Sequence, residues 1–367
     1  MTPEEFRASI PALDDCIYLN TGAGGPSPRR VVEAVQRSIE YHEYEAPAGD
    51  GTYGALFEAL DETRETVAAH FGGRPTDYAL TQSTSDGIGR VIAAMDWGSD
   101  DVVVRTDQEH SACLLPCQRL RDAYDVEVRE VPVHDGGIDP DEWAEAVDGA
   151  TLAMFSSLCW TDGCRLDVPE LSAVAQDAGA RVLVDAVQSV GQRPVDFEAW
   201  GADAVAAAGH KWLLGPTGTG FLYVDEGFVE QLDPVMPGYM SIEYADEERY
   251  DLHPDARSLE VGSVSPVPYA GLREAIATMA ELGMPTILDR IERLTDRLKE
   301  GLGDRLVSPE AFESGLVAFQ ADDPEATVER LAEQDIVVRA IPQTGDVRVS
   351  LHVFNDESDV DALLDAL

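Results

Sequence analysis

The sequence predicts an α/β protein, with a large domain on a mostly parallel seven-stranded sheet and a smaller α/β domain at the C-terminus. Between about residues 77 and 224, short apolar runs alternate with amphipathic stretches, as in strands joined by crossover helices. Only residues 215–219 separate the last strand of this region from the stretch around Lys211 that follows strand 204–208, and this link is too short for a helical crossover. The last strand should therefore run antiparallel to its neighbours.

The elements of the large domain follow from apolar runs and from the turn residues between them. The predicted strands cover residues 77–81, 101–105, 126–131, 151–156, 181–184, 204–208 and 220–224. Helices are predicted over residues 85–95, 112–124, 140–147 and 169–178. The two sets together give the alternation that a parallel sheet requires.

The pattern changes after Gly262, which predicts a second domain. Two long helical patterns come first, and a tail of strand, helix, strand, strand and helix follows. These elements are predicted at residues 267–282, 285–302, 316–320, 324–334, 336–341, 346–351 and 357–367. We expect an N-terminal arm (residues 1–20) packing with the small domain, a large domain (21–265) and a C-terminal domain (266–367).

The charge of the chain is strongly negative, with a formal net charge of −44 and 70 Asp and Glu residues. These acids are spread along the whole chain, which favours adaptation to a high-salt cytoplasm over a local patch for a basic partner. A nucleic-acid partner is disfavoured, because phosphate binding needs clustered Lys and Arg.

The termini and the cysteines indicate a cytoplasmic protein. No basic and apolar leader stands at the N-terminus, and no apolar run approaches the ~18 residues of a membrane span. The five cysteines form an odd, scattered set that indicates reduced thiols. Cys113 with Cys117 and Cys159 with Cys164 could be zinc half-sites, but no other residues complete a metal site, so we predict structural thiols and no metal.

Lysine is almost absent, since only Lys211 and Lys299 are found among 26 basic residues. A lysine amine can form a Schiff base, whereas an arginine cannot act in this way. Lys211 directly follows the apolar strand 204–208, so we predict a chemical role for it. Lys299 lies on a polar helical pattern and is predicted to be an ordinary surface lysine.

Asp185 ends the apolar run 181–184, and the next predicted strand leads to Lys211. Both side chains should therefore enter the crevice at the carboxyl ends of neighbouring parallel strands. This pair suits pyridoxal phosphate, because the lysine holds its aldehyde and the carboxylate keeps its ring nitrogen protonated. The alternative for Asp185 alone is a carboxylate that caps the following turn.

The motifs around these two residues resemble the class V aminotransferase group of fold-type I pyridoxal phosphate enzymes. The resemblance rests on Asp185-Ala186-x-Gln188, followed by Gly209-His210-Lys211-Trp212-x-x-Gly215-Pro216-x-Gly218-x-Gly220. It extends over nearly the whole chain, and the group includes cysteine desulfurases, isopenicillin N epimerase-like proteins, kynureninases and transaminases. It implies a pyridoxal 5'-phosphate enzyme with Lys211, His110 and Asp185 as catalytic residues.

The resemblance also implies residues that bind the cofactor. Thr84 and Ser85 would bind its phosphate at a helix N-terminus, a suitable place for an anion, together with His210. His110, from the segment Glu109-His110-Ser111-Ala112, would stack on its ring, and Gln188 would contact its phenolic oxygen. The alternatives are an ordinary Ser/Thr helix cap for the first pair and a satisfied core histidine for His110.

Further matches concern the substrate and a second subunit. Arg348, in the motif Val347-Arg348-Val349-Ser350-Leu351-His352, would bind the substrate carboxylate with its planar guanidinium. The alternative is a strand arginine in a salt bridge. Asn20 and Ala23 lie in the loop that lines the substrate side. Ser263 lies in a segment that would reach a neighbouring site, which implies a homodimer.

Three positions depart from the family pattern. Ala208 replaces a serine that often contacts the phosphate, and Trp160 replaces the asparagine of desulfurases and resembles the epimerase-like branch. The loop between Arg339 and Arg348 contains no cysteine, although desulfurases carry their sulfur-accepting cysteine there.

These departures favour an aminotransferase or an epimerase-like lyase acting on a small amino acid, with cysteine desulfurase as the alternative. Lys211 would first bind the cofactor and then move the α-proton of the substrate. Two other classes stay open. A nucleotide-binding protein would use the loop 22–27, and a binding protein without catalysis would not need the combination of Lys211, Asp185, His110 and Arg348.

Overall fold

The computed structural model describes residues 1–134 and 136–367. Its strands are β1 (Ile17–Tyr18), β2 (Tyr78–Thr81), β3 (Val102–Thr106), β4 (Glu127–Val131), β5 (Leu152–Ser156), β6 (Arg181–Asp185), β7 (Ala204–Ala208), β8 (Gly220–Val224), β9 (Ile242–Ala245), β10 (Tyr250–Leu252), β11 (Leu316–Gln320), β12 (Ile336–Val337), β13 (Arg339–Ile341) and β14 (Asp346–Ser350).

Helices cover both faces of the sheet and connect it to the C-terminal part of the chain. They are α1 (Pro3–Ala8), α2 (Arg29–Glu40), α3 (Thr52–Phe71), α4 (Thr84–Ala94), α5 (Ser111–Tyr124), α6 (Pro140–Val147), α7 (Val168–Asp177), α8 (Glu226–Val229), α9 (Val267–Leu282), α10 (Met284–Leu302), α11 (Pro324–Ala332) and α12 (Glu357–Ala366). Among the described residues, no helix combines the length and the apolar character that a bilayer span requires.

The main sheet has seven strands in the order β2-β8-β7-β6-β5-β3-β4. The strands from β7 to β4 pair in parallel, whereas β8 pairs antiparallel with both β2 and β7. The predicted mixed sheet is confirmed, including its one antiparallel strand. The short link between β7 and β8 explains the direction of β8, because a parallel crossover needs a longer connection.

The strands of this sheet are buried on both faces, so they show continuous apolar runs instead of alternation. In β6, Val182 and Val184 contribute to the core on one face, and Leu183 contributes to the core on the other. Cores on the two faces hold β6 firmly, and its last residue, Asp185, is thereby fixed at the carboxyl edge of the sheet.

The C-terminal sheet has the order β11-β14-β13, and all of its pairs are antiparallel. A single strand was predicted over residues 336–341, and that prediction is wrong. β12 pairs in parallel with β1, and β13 pairs with β14 in the other sheet. The buried residue Val338 lies between these two short strands.

Two features of the fold were not placed correctly from sequence. The bounds of α2 and α3 were not predicted, and α9 packs on both of these helices. Lys299 is not a surface residue. It is only 8% exposed, and its Nζ donates 2.7 Å hydrogen bonds to the carbonyls of Pro309 and Ala311.

Candidate active site

Asp185 and Lys211 lie at the same edge of the main sheet. Asp185 is the last residue of β6 and pairs in register with Ala206 of the parallel strand β7, and the turn after β7 carries Lys211. The two residues therefore follow neighbouring parallel strands at their carboxyl ends, as predicted. The Asp185 Oδ1 accepts a 2.9 Å hydrogen bond from the Val187 amide, which orients the carboxylate.

The two groups influence each other through a poorly solvated site. Burial raises the pKa of Asp185 to about 6, and the nearby Lys211 limits this rise. Burial lowers the pKa of Lys211 to about 8, against the opposing effect of Asp185, and Arg348 and Arg339 lower it further. A lysine with such a pKa has a substantial amine fraction near neutral pH, as a nucleophile requires.

The start of α4 forms the predicted phosphate end of the site. Ser83 caps the helix, because its Oγ accepts a 3.1 Å hydrogen bond from the Asp86 amide. Thr84 is buried, and its Oγ1 has no hydrogen-bond partner among the described residues. Ser85 is exposed and His210 is half-buried. The cap and the anion-binding hydroxyl are thus different residues, and Thr84 is the better placed of the two predicted contacts.

His110 precedes α5 and caps it through its ring. The Nδ1 accepts a 3.2 Å hydrogen bond from the Ala112 amide, so a neutral ring carries its proton on Nε2. Burial lowers the pKa of His110 to about 4, and Lys211, Arg339 and Arg348 add to this effect. The ring meets Trp160 edge-on, with centroids 5.2 Å apart.

Glu109, next to His110, is buried and joins the ends of two strands. It accepts hydrogen bonds from the Thr106 hydroxyl at 2.6 Å and from the Ser156 amide and hydroxyl at 2.9 and 2.7 Å. Burial raises the pKa of Glu109. The residue therefore anchors the segment that carries His110.

Gln188 is buried between the turn of Lys211 and the N-terminal loop. Its Nε2 donates to the Gly22 carbonyl at 3.0 Å, and its Oε1 accepts from the Trp212 indole at 2.7 Å. The same loop reaches the lysine turn, because the Gly25 amide donates to the His210 carbonyl at 2.8 Å. Ala23, between these two contacts, is half-buried.

Arg348 is fully buried on β14, and its guanidinium is only partly satisfied. One terminal nitrogen donates to the Trp160 carbonyl at 2.6 Å, whereas the Nε and the other terminal nitrogen lack partners among residues 1–134 and 136–367. Burial lowers the pKa of Arg348 to about 9. Unpaired buried donors of this kind are costly, which indicates an anion site.

Other buried polar groups lack partners in the part of the chain that the structure describes. Asn20 and Trp160 among them were predicted as substrate-binding residues, whereas Thr21 and Ser350 were not. Within the described part of the chain, the Asn20 Oδ1, Thr21 Oγ1, Ser350 Oγ and Trp160 Nε1 are also buried without partners. A Cβ on Gly22 would lie 2.9 Å from the Ser350 Oγ and 3.0 Å from a terminal nitrogen of Arg348. Gly22 therefore leaves space beside these groups.

Arg339 was also missed as a site residue. It pairs in register with Arg348, and both guanidinium carbons lie 5.8 Å from the centroid of the Trp160 ring. A signal for it existed, because the predicted strands 336–341 and 346–351 are separated by only a short loop and should form a hairpin.

Ser263, like Ser85, is exposed, and no contact among the described residues links it to this cluster. Its neighbour Glu260 is buried and accepts hydrogen bonds of 2.7 and 2.8 Å from Arg64. The segment is thus anchored at Glu260 and leads outward at Ser263. Its predicted role in a neighbouring subunit stays a prediction.

The family model for class V aminotransferases matches residues 17–363. The chain belongs to the class V aminotransferase family. It is 32% identical to a probable cysteine desulfurase of Methanothermobacter thermautotrophicus, covering 100% of this chain and 98% of that protein. It is 29% identical to isopenicillin N epimerase of Streptomyces clavuligerus, covering 99% and 97%. Other relatives are named as cysteine desulfurases or probable cysteine desulfurases.

A solved structure with a similar fold is that of the cystine C–S lyase C-DES in complex with its product, cysteine persulfide. It has a TM-score of 0.91 and 27% identity, and the match covers 97% of this chain and 98% of the other. The predicted fold-type I architecture is therefore confirmed. Most of these relatives are named as desulfurases, which favours the alternative, a cysteine desulfurase, over the aminotransferase or epimerase-like lyase that we placed first.

Pyridoxal phosphate is the cofactor of this family, and the residues of the site fit it. Thr84 offers a buried hydroxyl at a helix N-terminus that has no partner within residues 1–134 and 136–367, and Asp185 and Lys211 share one edge of the sheet. The loop 22–27 does not form a dinucleotide site, because β1 pairs with β12 outside the main sheet. No group of three or more potential metal ligands occurs among the described residues.

Proposed function

We propose that this enzyme is a C–S lyase. It would cleave the bond between the β-carbon and the sulfur of a cystine-like amino acid, which carries a second anionic group beyond the sulfur. The observation that carries this proposal is the pair Arg339 and Arg348 on Trp160, because neither guanidinium forms a salt bridge with an acidic side chain of the described residues.

Arg348 is the group suited to the α-carboxylate of the substrate. Its Nε and one terminal nitrogen have no partner among the described residues and lie in one plane, which matches the two oxygens of a carboxylate. The unpartnered hydroxyls of Thr21 and Ser350 can add donors around the same anion. The Trp160 carbonyl fixes the third nitrogen and so orients the guanidinium.

Arg339 provides a second positive charge beside the first. Two guanidinium groups around one aromatic ring repel each other, and this repulsion is relieved when two anionic groups bind. The chain has 70 acidic residues, yet none of those in residues 1–134 and 136–367 forms a salt bridge with this pair. A substrate with two carboxylates, such as cystine, supplies the missing charges.

A protein thiol that accepts sulfur has no suitable candidate in this chain. Cys113, Cys117, Cys159 and Cys164 are all buried, and Cys16 is half-buried just before β1, where burial and the nearby Asp15 and Asp335 raise its pKa. Burial raises the pKa of Cys117 to about 11, and it raises the pKa of Cys113 well above the usual value. The nucleophile in such chemistry is the thiolate, so these thiols are unsuited to it. Elimination needs no enzyme thiol, because the sulfur leaves with the product.

When bound, pyridoxal phosphate withdraws electrons from the α-carbon and so acidifies its proton. The Lys211 amine is the group that takes this proton, and the C–H electron pair forms the Cα–Cβ double bond as the sulfur leaves as a thiolate or persulfide anion. Asp185 would keep the ring nitrogen of the cofactor protonated. His110 stays neutral at working pH. Arg348 and Arg339 keep the Cβ–S bond oriented.

The test uses the holoenzyme with cystine and with S-methylcysteine, which carries a single carboxylate. We expect pyruvate and sulfane sulfur from cystine. Arg339→Gln should raise KM for cystine by about 10- to 100-fold and leave S-methylcysteine nearly unaffected, because a charge-assisted hydrogen bond contributes roughly 1.5–3 kcal/mol. Arg348→Gln should impair both substrates. Lys211→Ala is the inactive control.

Three results would contradict the proposal. Stoichiometric conversion of the bound cofactor to its amine form by alanine would indicate transamination. Exchange of the α-proton with deuterium without pyruvate would indicate epimerisation. Sulfur from cysteine bound covalently to the protein would indicate a desulfurase.

A further inference from the structure

The turn that carries Lys211 is held in a strained conformation. Leu214 has a φ of 59°, in the left-handed region that a bulky residue rarely adopts. The turn closes through hydrogen bonds from the Leu214 amide to the Lys211 carbonyl at 3.0 Å and from the Gly215 amide to the Gly209 carbonyl at 2.8 Å. Such a conformation persists only when surrounding contacts enforce it.

Trp212, the residue after Lys211, receives those contacts from several parts of the chain. Its indole Nε1 donates to Gln188, and a Cβ on Gly191 would lie 2.5 Å from its carbonyl carbon. A Cβ on Gly315, near the C-terminal sheet, would lie 2.9 Å from its ring. The remaining contact is to its carbonyl oxygen, which the His352 Nε2 approaches at 2.9 Å.

His352 is fully buried, and both of its nitrogens are engaged. The Val353 amide donates to the Nδ1 at 2.8 Å, so a neutral ring carries its proton on Nε2 and donates it to the Trp212 carbonyl. The ring stacks on Trp212 with a centroid distance of 5.8 Å and on Phe354 at 5.1 Å. Burial lowers the pKa of His352 to about 4, so the ring stays neutral at working pH.

We propose that His352 is a positioning residue for Lys211. Its Nε2–H and its ring hold the peptide after Lys211, and they tie the segment that carries Arg348 to the turn that carries the lysine. The proposal concerns the cofactor end of the site and does not depend on which substrate the enzyme uses. A side chain that only filled space here would not need to donate from its Nε2 and accept at its Nδ1, as His352 does.

Three substitutions separate the hydrogen bond from the packing. His352→Gln places an amide donor where the Nε2 lies. His352→Asn keeps an acceptor near the Nδ1 but cannot reach the Trp212 carbonyl. His352→Phe keeps the stacked ring and has no donor. The control is Gln334→Leu, at an exposed position in the turn after α11.

Two measurements report on the state of Lys211 and need no amino-acid substrate. One is the pH midpoint of the near-visible absorbance of bound pyridoxal phosphate, over about pH 6 to 10. The groups that affect Lys211 in this titration are Asp185, Arg348 and Arg339, and none of them is changed by the variants. The other is the rate at which the apoprotein regains this band when pyridoxal phosphate is added. Tm, kcat and KM are measured alongside.

We expect the Gln variant to resemble the wild type. The Asn and Phe variants should show a shifted pH midpoint, slower recovery of the band and a kcat lower by about 10- to 100-fold with little change in KM, as for a displaced catalytic group. The proposal is overturned if the Asn and Phe variants keep the wild-type midpoint and kcat. It is also overturned if the Gln variant loses as much kcat as the Phe variant. The same holds if, across the variants, the losses of kcat and of cofactor recovery are in proportion to the fall in Tm.

Discussion

At the scale of single residues, the two lysines show what an amine does that a guanidinium cannot. Lys211 has a lowered pKa in the crevice, and Lys299 places one compact ammonium between the carbonyls of Pro309 and Ala311. The sequence placed Lys211 correctly at the edge of the sheet, whereas it misjudged Lys299 as a surface residue. A helical pattern with polar neighbours does not reveal that a later loop folds over the residue.

The buried residue His352 makes the stability of the fold depend on pH between about 4 and 6.5. An unfolded chain binds a proton at this residue near the ordinary pKa of 6.5, whereas burial keeps the folded residue neutral down to about pH 4. The unfolded state therefore binds more protons in this window, and the contribution of His352 to stability is complete above pH 6.5 and is lost as the pH falls towards 4.

We expect His352→Phe to reduce the loss of unfolding free energy between pH 7 and about pH 4.5. Urea denaturation of the apoprotein at several pH values measures this slope, and the difference between the two proteins removes the contribution of the many carboxylates. Equal slopes in the two proteins would show that His352 is protonated in the folded state.

At the scale of elements, the site is a set of chain segments that end at one edge of the main sheet. β6 brings Asp185, the turn after β7 brings Lys211, and β14 of the other sheet brings Arg348. The N-terminal loop closes on them through Gly22 and Gly25. Each segment was visible in the sequence, but the contact between His352, which follows β14, and the lysine turn was not.

The contact of the N-terminal loop with the lysine turn can be tested with two neighbouring glycines. A Cβ on Gly25 would lie 2.3 Å from the Lys211 carbonyl oxygen, whereas a Cβ on Gly24 would have its nearest neighbour at 3.8 Å. Gly25→Ala should displace the turn and destabilise the protein by about 1–3 kcal/mol. It should also weaken the binding of pyridoxal phosphate.

Gly24→Ala is the matched control, because neither glycine has a positive φ. Fluorescence titration with the cofactor and thermal denaturation measure the two effects. If both variants bind the cofactor as the wild type does, the loop does not support the lysine turn.

At the scale of the whole molecule, the net charge of −44 dominates behaviour in solution. The Debye length falls from ~10 Å at 0.1 M salt to ~3 Å at 1 M, so repulsion between the acids weakens strongly over this range. We therefore expect Tm to rise by about 5–10 °C between 0.1 and 2 M KCl. Scanning calorimetry measures it, with sucrose as an uncharged control. A Tm that does not change with salt would contradict adaptation to high salt.

A second copy of the chain is the proposed partner of an exposed aromatic patch. Tyr53, Phe57 and Tyr239 form this patch, with ring centroids 5.6 to 6.2 Å apart. Large exposed apolar groups in one place indicate an interface. The exposed residue Ser263 would then meet the neighbouring site, as the sequence predicted.

We expect Tyr239→Asp to produce monomers and to weaken cofactor binding, because a charge in an apolar interface is costly. Leu115→Asp is the control, since Leu115 is 60% exposed and lies on α5. Analytical ultracentrifugation measures the mass in each case. A Tyr239→Asp protein that sediments as a dimer would exclude this patch as the interface.

The division of the chain into an arm, a large domain and a small domain stays a proposal. β1 pairs with β12, and Arg7 forms hydrogen bonds of 2.6 and 2.9 Å with Asp359, which supports an arm that moves with the C-terminal part. Helix α10 contributes Ile287 and Ile291 to the large core and Leu294 and Leu298 to the C-terminal core. It is therefore the element through which the two parts would move together.

The sequence by itself determined the sheet strands, the antiparallel β8 and the placement of Asp185 and Lys211 at one edge. These features depend on local patterns, namely apolar runs and the lengths of links, which need no knowledge of distant contacts. The motifs also predicted the family and its cofactor.

Only the tertiary structure decided which groups surround those residues. The pairing of β12 with β1, which splits residues 336–341, and the hydrogen bond from His352 to Trp212 join segments far apart in sequence. The burial of Lys299 depends on the path of an irregular loop at residues 309–311. Such contacts depend on how the sheets and helices pack together, and packing is set by the summed shape and burial of many side chains. A local pattern therefore cannot predict them.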